Sequence, residues 1–507
     1  MRHALLAAAL SLALPLQAQD KPKDTPADVA VAAPIVSVTR HQGVFGGQTI
    51  SFTATAGETV LKDREGKAVA TIVSTAYVRD GGGPNRPVTF LWNGGPGSGS
   101  VWLHMGAFGP KRVVIPGDAR DDGAPPFPLV DNPHSLLDVT DIVFIDPVGT
   151  GFSRVVGKGD PKDYWGVTQD AKSVATFIRA WLRENGRWNA PKFIGGESYG
   201  TTRSAAVINE LEGSFNDVSV NGIILISTIL DFGLQAEVPG NEMAFVVNLP
   251  NYTTAAWYHK ALPAPGFATV VDAAAAARAF AAGPYLSALA KGNALPADER
   301  ATVRKRLAEL TGLSEAYLDK ADLRVLPGRF YKELLRERGL TIGRLDGRYI
   351  GIDFDRAGEE PDNDPSFYGI DAGYTAAINA WMRGPLKFNP EREYSTIGGV
   401  SDWDWRLGAR GGRNGDNAFY MNVTPYIGRA LRENSGLRVF VAQGWYDHAT
   451  PFFGAEYALS RTGIPAGRVE YHYYDAGHMM YVREADLAKL STDVRGFIRR
   501  QVAATGR

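Results

Sequence analysis

The pentapeptide Gly196-Glu197-Ser198-Tyr199-Gly200 constrains this chain more than any other feature, because of what flanks it. The apolar stretch Lys192–Ile194 precedes it, and a run of small residues (Thr201, Thr202, Ser204, Ala205, Ala206) follows. A G-x-S-x-G turn between a strand and a helix forces the serine hydroxyl up into a site. Its glycines let backbone segments approach more closely than side chains allow. Among 57 glycines the pentapeptide alone would suit a structural turn equally well. The strand before it and the helix after it, beginning near Thr201, make Ser198 a candidate nucleophile.

The surrounding pattern has the same character. Alternation over Gln48–Tyr77, broken by Gly and Asp turns, predicts an antiparallel opening. Two short apolar runs, Pro87–Trp92 and Asp141–Ile145, each end at a turn-rich segment and read as buried strands. Thr168–Glu184 has helical spacing, with Ala171, Val174, Phe177, Ile178, Trp181 and Leu182 on one face. Gly222–Ser227 is another buried strand. Alternating strands and helices predict the α/β class, with a mostly parallel central sheet flanked by helices. Helical patterns then dominate from Glu242 to about Lys387, among them Asp272–Ala282 and Ala301–Leu310, and predict a helical cap insertion. Strand signals return at Leu437–Ala442 and Val469–Tyr474, and a helix over about Glu484–Val502 closes the chain. The expected organisation is a core over 35–234 and 391–507, with the cap over 235–390.

The N-terminus predicts export. Arg2 and His3 precede an apolar run, Ala4–Leu16, and Leu16-Gln17-Ala18 resembles a small-residue cleavage site. That is the order of a signal peptide, residues 1–18, and the run is too short to span a bilayer as an anchor. A Lys/Pro/Asp/Ala-rich stretch within 19–34 reads as a tail. The Gly/Arg-rich stretch 406–416 reads as a loop without an assigned role. Charge is balanced, 54 Lys+Arg against 55 Asp+Glu, which argues against a nucleic-acid partner. The chain contains no cysteine, so thiol chemistry and disulfides are excluded. The eight histidines are scattered without a metal-binding motif, and the expectation is no metal and no cofactor.

A serine hydroxyl needs a base, and the base an orienting acid; in this strand–turn–helix setting their order along the chain is Ser, acid, His. His478 lies just past the strand Val469–Tyr474, and Asp447 just past Leu437–Ala442. Ser198, Asp447 and His478 thus all fall on loops after strands, where active groups of α/β sheets gather. His472 lies inside its strand. His448 as base and Asp475 as acid remain open at this level. The loop Gly94–Gly99 lacks the Gly-Lys-Ser/Thr ending of a phosphate-binding loop. After an early strand, it suits backbone donors for an oxyanion.

Five blocks now resemble the serine carboxypeptidases, peptidase family S10, of the α/β-hydrolase fold: Phe90–Gly97 (FLWNGGPG), Asp141–Ser153 (DIVFIDPVGTGFS), Phe193–Gly200, Gly444–Asp447 and Ala476–Met479. The resemblance implies removal of single C-terminal residues from peptides. Ser198 would be the nucleophile, His478 the general base and acid, and Asp447 its orienter. The N–H groups of Gly95 and Tyr199 would form the oxyanion hole, and Asn93, Glu197 and the Gly94 N–H would bind the free C-terminal carboxylate of a peptide substrate. The same scaffold has been reused for esterases and acyltransferases. Four departures bear on this. Ser98 and Thr450 stand where the family often has cysteines. Ala107-Phe108-Gly109-Pro110 replaces a frequent Glu-Leu-Gly-Pro, removing a supporting carboxyl. Thr201-Thr202-Arg203 is not the usual ending of the serine block. The absence of cysteine and the compact signal suggest a bacterial periplasmic or secreted protein, in which the sequons at Asn251 and Asn422 would go unused and no membrane anchor would remain once the signal is removed.

Overall fold

The computed structural model describes residues 32–212, 216–407, 421–461 and 463–505. The expected signal peptide, all but the end of the tail, and residues 408–416 of the Gly/Arg-rich stretch lie outside them.

Among the described residues, the central sheet runs through β1 (Val36–Phe45), β2 (Gln48–Lys62), β3 (Ala68–Arg79), β4 (Val88–Trp92), β5 (Asp141–Asp146), β6 (Lys192–Ser198), β7 (Gly222–Thr228), β8 (Arg438–Gly444) and β9 (Val469–Tyr474). The spatial order is β1-β2-β3-β5-β4-β6-β7-β8-β9, and the short strand Arg154–Val155 adds to β3. Pairing is antiparallel from β1 through β3 to β5 and parallel from β5 onward. Every residue of β4, β5 and β7 is buried, as expected of parallel strands covered on both faces.

Helices α1 (Val167–Glu184), α2 (Tyr199–Leu211) and α3 (Thr424–Glu433) cover one face. Val174 and Phe177 of α1, Ala205 and Ile208 of α2, and Ile427 pack there on Phe90, Val143, Ile194 and Val441. The closing helix α4 (Glu484–Thr505) covers the other face, where Leu490, Val494 and Phe497 meet Phe193, Ile224 and Phe440.

Between β7 and β8 the chain is mainly helical, including Met243–Tyr258, Val270–Phe280, Ala297–Thr311 and Asp371–Arg383. The first three share a separate apolar cluster with Phe330 and Ile342. Tyr374, Ile378 and Trp381 of the fourth instead join the main core, where Trp381 Nε1 donates to the Tyr77 hydroxyl at 2.7 Å. Two elements differ from the sequence expectation. β1 precedes the expected opening; it is an edge strand whose exposure alternates, with its valines on the exposed face. β6 runs on to Ser198, and α2 starts at Tyr199 rather than near Thr201.

Candidate active site

Strand passes to helix at Ser198 with no intervening residue, so the turn is sharp. Ser198 takes φ 60° and ψ −132°, a strained conformation for a side-chain-bearing residue. The neighbouring glycines are required by contact. A Cβ on Gly196 would strike the Gly200 carbonyl. A Cβ on Gly94 would lie 2.5 Å from Tyr199 N and 2.8 Å from the Glu197 carbonyl oxygen. The loop after β4 therefore lies directly against the turn. Trp92 Nε1 donates to the Gly200 carbonyl at 2.8 Å and ties the two together. As the first residue of its helix, Tyr199 has an N–H without an intrahelical acceptor.

Arg203 holds the same junction from below. Its buried guanidinium donates to Asp170 Oδ2 at 2.6 Å and to the Asn93 carbonyl at 2.5 Å, and lies 5.1 Å from the centre of the Tyr199 ring. One cation thus joins α1, α2 and the end of β4. Burial raises the Asp170 carboxyl above its ordinary value, although the Arg203 charge opposes this.

The loops after β8 and β9 bring Asp447 and His478 together. His478 Nδ1 lies 2.9 Å from Asp447 Oδ2. A carboxylate only accepts, so Nδ1 carries the proton and Nε2 keeps its lone pair. Asp447 is fully buried; its Oδ1 accepts from the N–H groups of Ala449 and Thr450, each at 2.9 Å, and its Oδ2 from the Thr450 hydroxyl at 2.5 Å. Burial by itself would lower the His478 pKa, but the Asp447 carboxylate and Glu197 raise it above its ordinary value, with Arg344 opposing.

A pocket of about 370 Å³ opens over this junction and is lined by Ser198, His478, Asn93, Gly94, Gly95, Glu197 and Tyr199, with Arg344 and Phe367 from the insertion. Among the hydrogen bonds of the described residues, none links Ser198 Oγ to His478; such bonds often tighten only when substrate binds. Glu197 is buried, and burial pushes its carboxyl up to about 7; His478, Tyr481 and Asn93 pull it down and Asp447 pushes it up. Its Oε2 accepts from the Tyr481 hydroxyl at 2.6 Å. Asn93 Oδ1 accepts from the Leu103 N–H at 3.0 Å, while the buried Asn93 Nδ2 faces Glu197 and Tyr481 without a well-formed hydrogen bond.

The structure thus brings the eight sequence-derived site residues to one place, with Asp447 behind His478. It sends the rivals elsewhere. Both ring nitrogens of His448 are buried without partners among Tyr252, Phe330 and Tyr331, and burial lowers its pKa to about 4. Asp475 accepts from the Tyr446 hydroxyl, and His472 lies between Glu470 and Asp493. Among the described residues, no cluster of His, Asp and Glu is arranged to hold a metal ion, and no helix is long and apolar enough to cross a membrane.

Sequence reasoning missed Tyr481, Arg203 as a site anchor, and Thr450 as a donor to Asp447. It also missed the insertion segment 344–348, which clasps both loops. His448 N donates to the Arg344 carbonyl, His478 N to the Leu345 carbonyl at 2.7 Å, and Gly477 N to Asp346 Oδ2 at 2.9 Å. Asn251, noted as a sequon, is fully buried and donates to the Asp447 carbonyl at 2.7 Å. Ala107 is buried where the supporting carboxyl was missing, and Tyr481 is the residue that meets Glu197.

A mostly parallel sheet with a serine at a strand-to-helix turn, and Asp447 and His478 past later strand ends, is the α/β-hydrolase fold. Residues 78–243 match the serine carboxypeptidase family, peptidase family S10, a span that contains the first three of the five sequence blocks. The fold and this match support a hydrolase role of the peptidase kind. Among solved structures, the prohormone-processing carboxypeptidase Kex1Δp of Saccharomyces cerevisiae aligns with TM-score 0.52 and 14 % identity, covering 89 % of this chain and 92 % of that one. A soluble variant of monoglyceride lipase from Saccharomyces cerevisiae aligns with TM-score 0.36 and 12 % identity, covering 88 % and 95 %. Juvenile hormone epoxide hydrolase from Bombyx mori aligns with TM-score 0.33 and 11 % identity, covering 90 % and 80 %. The last two are too distant to add to the argument. No curated protein sequence matches the chain.

Proposed function

We propose that this protein is a serine-type carboxypeptidase that removes single residues from the free C-termini of peptides. The observation that carries the reading is the pairing of Asn93 Nδ2, a buried donor that faces Glu197 and Tyr481 without a well-formed hydrogen bond, with Glu197, a buried carboxyl raised to about 7, in the pocket that contains Ser198. Buried polar atoms are normally satisfied. A substrate carboxylate would satisfy both, taking one hydrogen bond from the Asn93 amide and one from protonated Glu197, with the Gly94 N–H as a third donor.

With the terminal carboxylate held there, the last peptide bond lies over Ser198. His478 Nε2 takes the hydroxyl proton as Ser198 Oγ attacks the carbonyl carbon, and Asp447 steadies the imidazolium. The N–H groups of Gly95 and Tyr199 receive the oxyanion. His478 then gives its proton to the leaving amine, which releases the C-terminal residue and leaves an acyl-enzyme on Ser198. Water, activated by the same histidine, hydrolyses the ester and frees the shortened peptide. This chemistry calls for no cofactor. Export is part of the proposal and rests on the N-terminal sequence pattern.

Mass-spectrometric digestion of a peptide library tests the reading. The expected products are ladders of single C-terminal losses, absent with Ser198→Ala. Internal cleavage, or no cleavage alongside ester hydrolysis, would contradict it and favour an esterase or acyltransferase on the same residues.

A further inference from the structure

The residue on which Glu197 leans is not among those that the sequence pointed to. Tyr481 lies in the turn Met480–Val482, three residues beyond His478, and is fully buried. Its hydroxyl donates to Glu197 Oε2 at 2.6 Å. Its ring rests on Gly106, in the π-helical turn Leu103–Phe108, where an added Cβ would lie 2.7 Å from the Tyr481 ring and 2.6 Å from the Tyr374 hydroxyl. The contact is built from both sides, since Asn93 Oδ1 accepts from Leu103 N in that same turn.

We propose that Tyr481 is a positioning residue whose hydroxyl fixes one oxygen of Glu197, turns the other toward the substrate, and sets the upper pH at which the enzyme still reads a terminal carboxylate. This rests on the carboxypeptidase reading. A phenol acts differently from a second carboxyl at the same place. Two carboxyls would share a proton and hold it to high pH. A phenol donates to the carboxylate form and favours loss of the proton. Burial and the nearby Glu197 hold the Tyr481 phenol well above its ordinary range, so it stays a donor wherever the enzyme works. The other groups facing Glu197 are His478, Asp447, Asn93 and Tyr374. Of these, His478 opposes the proton and Asp447 retains it, so Tyr481 adds to the pull of His478.

The test is the pH dependence of kcat/KM for a blocked peptide acid and for its C-terminal amide. The wild type is expected to lose activity on the acid as Glu197 deprotonates, with no matching loss on the amide. Tyr481→Phe removes the donor, so the limb for the acid moves upward by about one to two pH units. Site-specific replacement of Tyr481 by 3,5-difluorotyrosine keeps the shape, strengthens the donor and moves the limb downward, which also provides the test should Tyr481→Phe fold poorly. A purely structural tyrosine would lower kcat/KM at all pH values without moving the limb. If the limb is specific to the acid but indifferent to both changes, the role of Tyr481 is overturned and the carboxypeptidase reading survives. If acid and amide share one profile in the wild type, the carboxypeptidase reading fails first.

Discussion

At the scale of single residues, Glu197 and Arg203 put charge where water is scarce, for different ends. In the proposed role, Glu197 must be protonated to donate to a substrate carboxylate; once ionised, it would repel it. Because kcat/KM reports the free enzyme and His478 must lose its proton in both reactions, the ratio of kcat/KM for a peptide acid to that for its amide is expected to fall between pH 5 and 8, centred near the Glu197 value of about 7. A flat profile across that range, measured with saturating buffer controls, would refute this role. Arg203 is structural. Arg203→Met strands Asp170 as a buried, unpaired carboxylate and is expected to cost about 3–5 kcal/mol in denaturant unfolding. Adding Asp170→Asn should return part of that loss. The sequence pointed to Ser198, Asp447 and His478 as candidates because each follows a strand in a fixed order. Arg203 and Tyr481 carry no such mark, since what they touch lies 110 and 284 residues away along the chain.

At the scale of elements, the site is a meeting of strand ends. The central strands were legible because burial on both faces makes them continuous apolar runs. Their ends were not: β6 continues through Gly195, Gly196 and Glu197, which carry no strand signal, because pairing with β7 and not side-chain pattern holds them extended. β1 was missed for a different reason: its alternation is inverted, with Val36, Val38 and Val44 on the exposed face and Ser37, Thr39 and His41 on the half-buried one. The close approach of the loop after β4 to the turn at Ser198 makes a definite prediction. Gly94→Ala should force the Tyr199 N–H and the Glu197 carbonyl apart and lower kcat/KM by about a hundredfold, the scale of losing one oxyanion donor. Gly283→Ala, where an added methyl meets nothing within 4 Å, serves as the control and should leave activity unchanged.

At the scale of the whole molecule, the insertion does more than wall the pocket. Segment 344–348 lies between the loops that carry Asp447 and His478, bonded to both. Asp346 also accepts the fork of Arg348, whose nearer bond is 2.6 Å long. Asp346→Ala leaves that buried guanidinium unpaired and frees the Gly477 N–H. The expected result is a loss of about 3–5 kcal/mol in unfolding, together with a kcat that falls more than KM rises, because the His478 loop loses its support. An unchanged kcat in a folded variant would show that the core holds His478 unaided. A cap was legible as a change from strand to helical pattern. Its grip on the catalytic loops was not, because these are bonds to backbone groups and leave no trace in residue type.

The central claim is that Asn93 and Glu197 read a free carboxylate beside Ser198. The most direct measurement is the ratio of kcat/KM for one blocked dipeptide as its free acid and as its amide, at pH 5.5, in the wild type and in Asn93→Ala/Glu197→Ala. The account expects a ratio of at least about a hundred in the wild type, the scale of two hydrogen bonds to a charged group, collapsing toward one in the double variant while fluorophosphonate labelling of Ser198 persists. A wild-type ratio near one would contradict it.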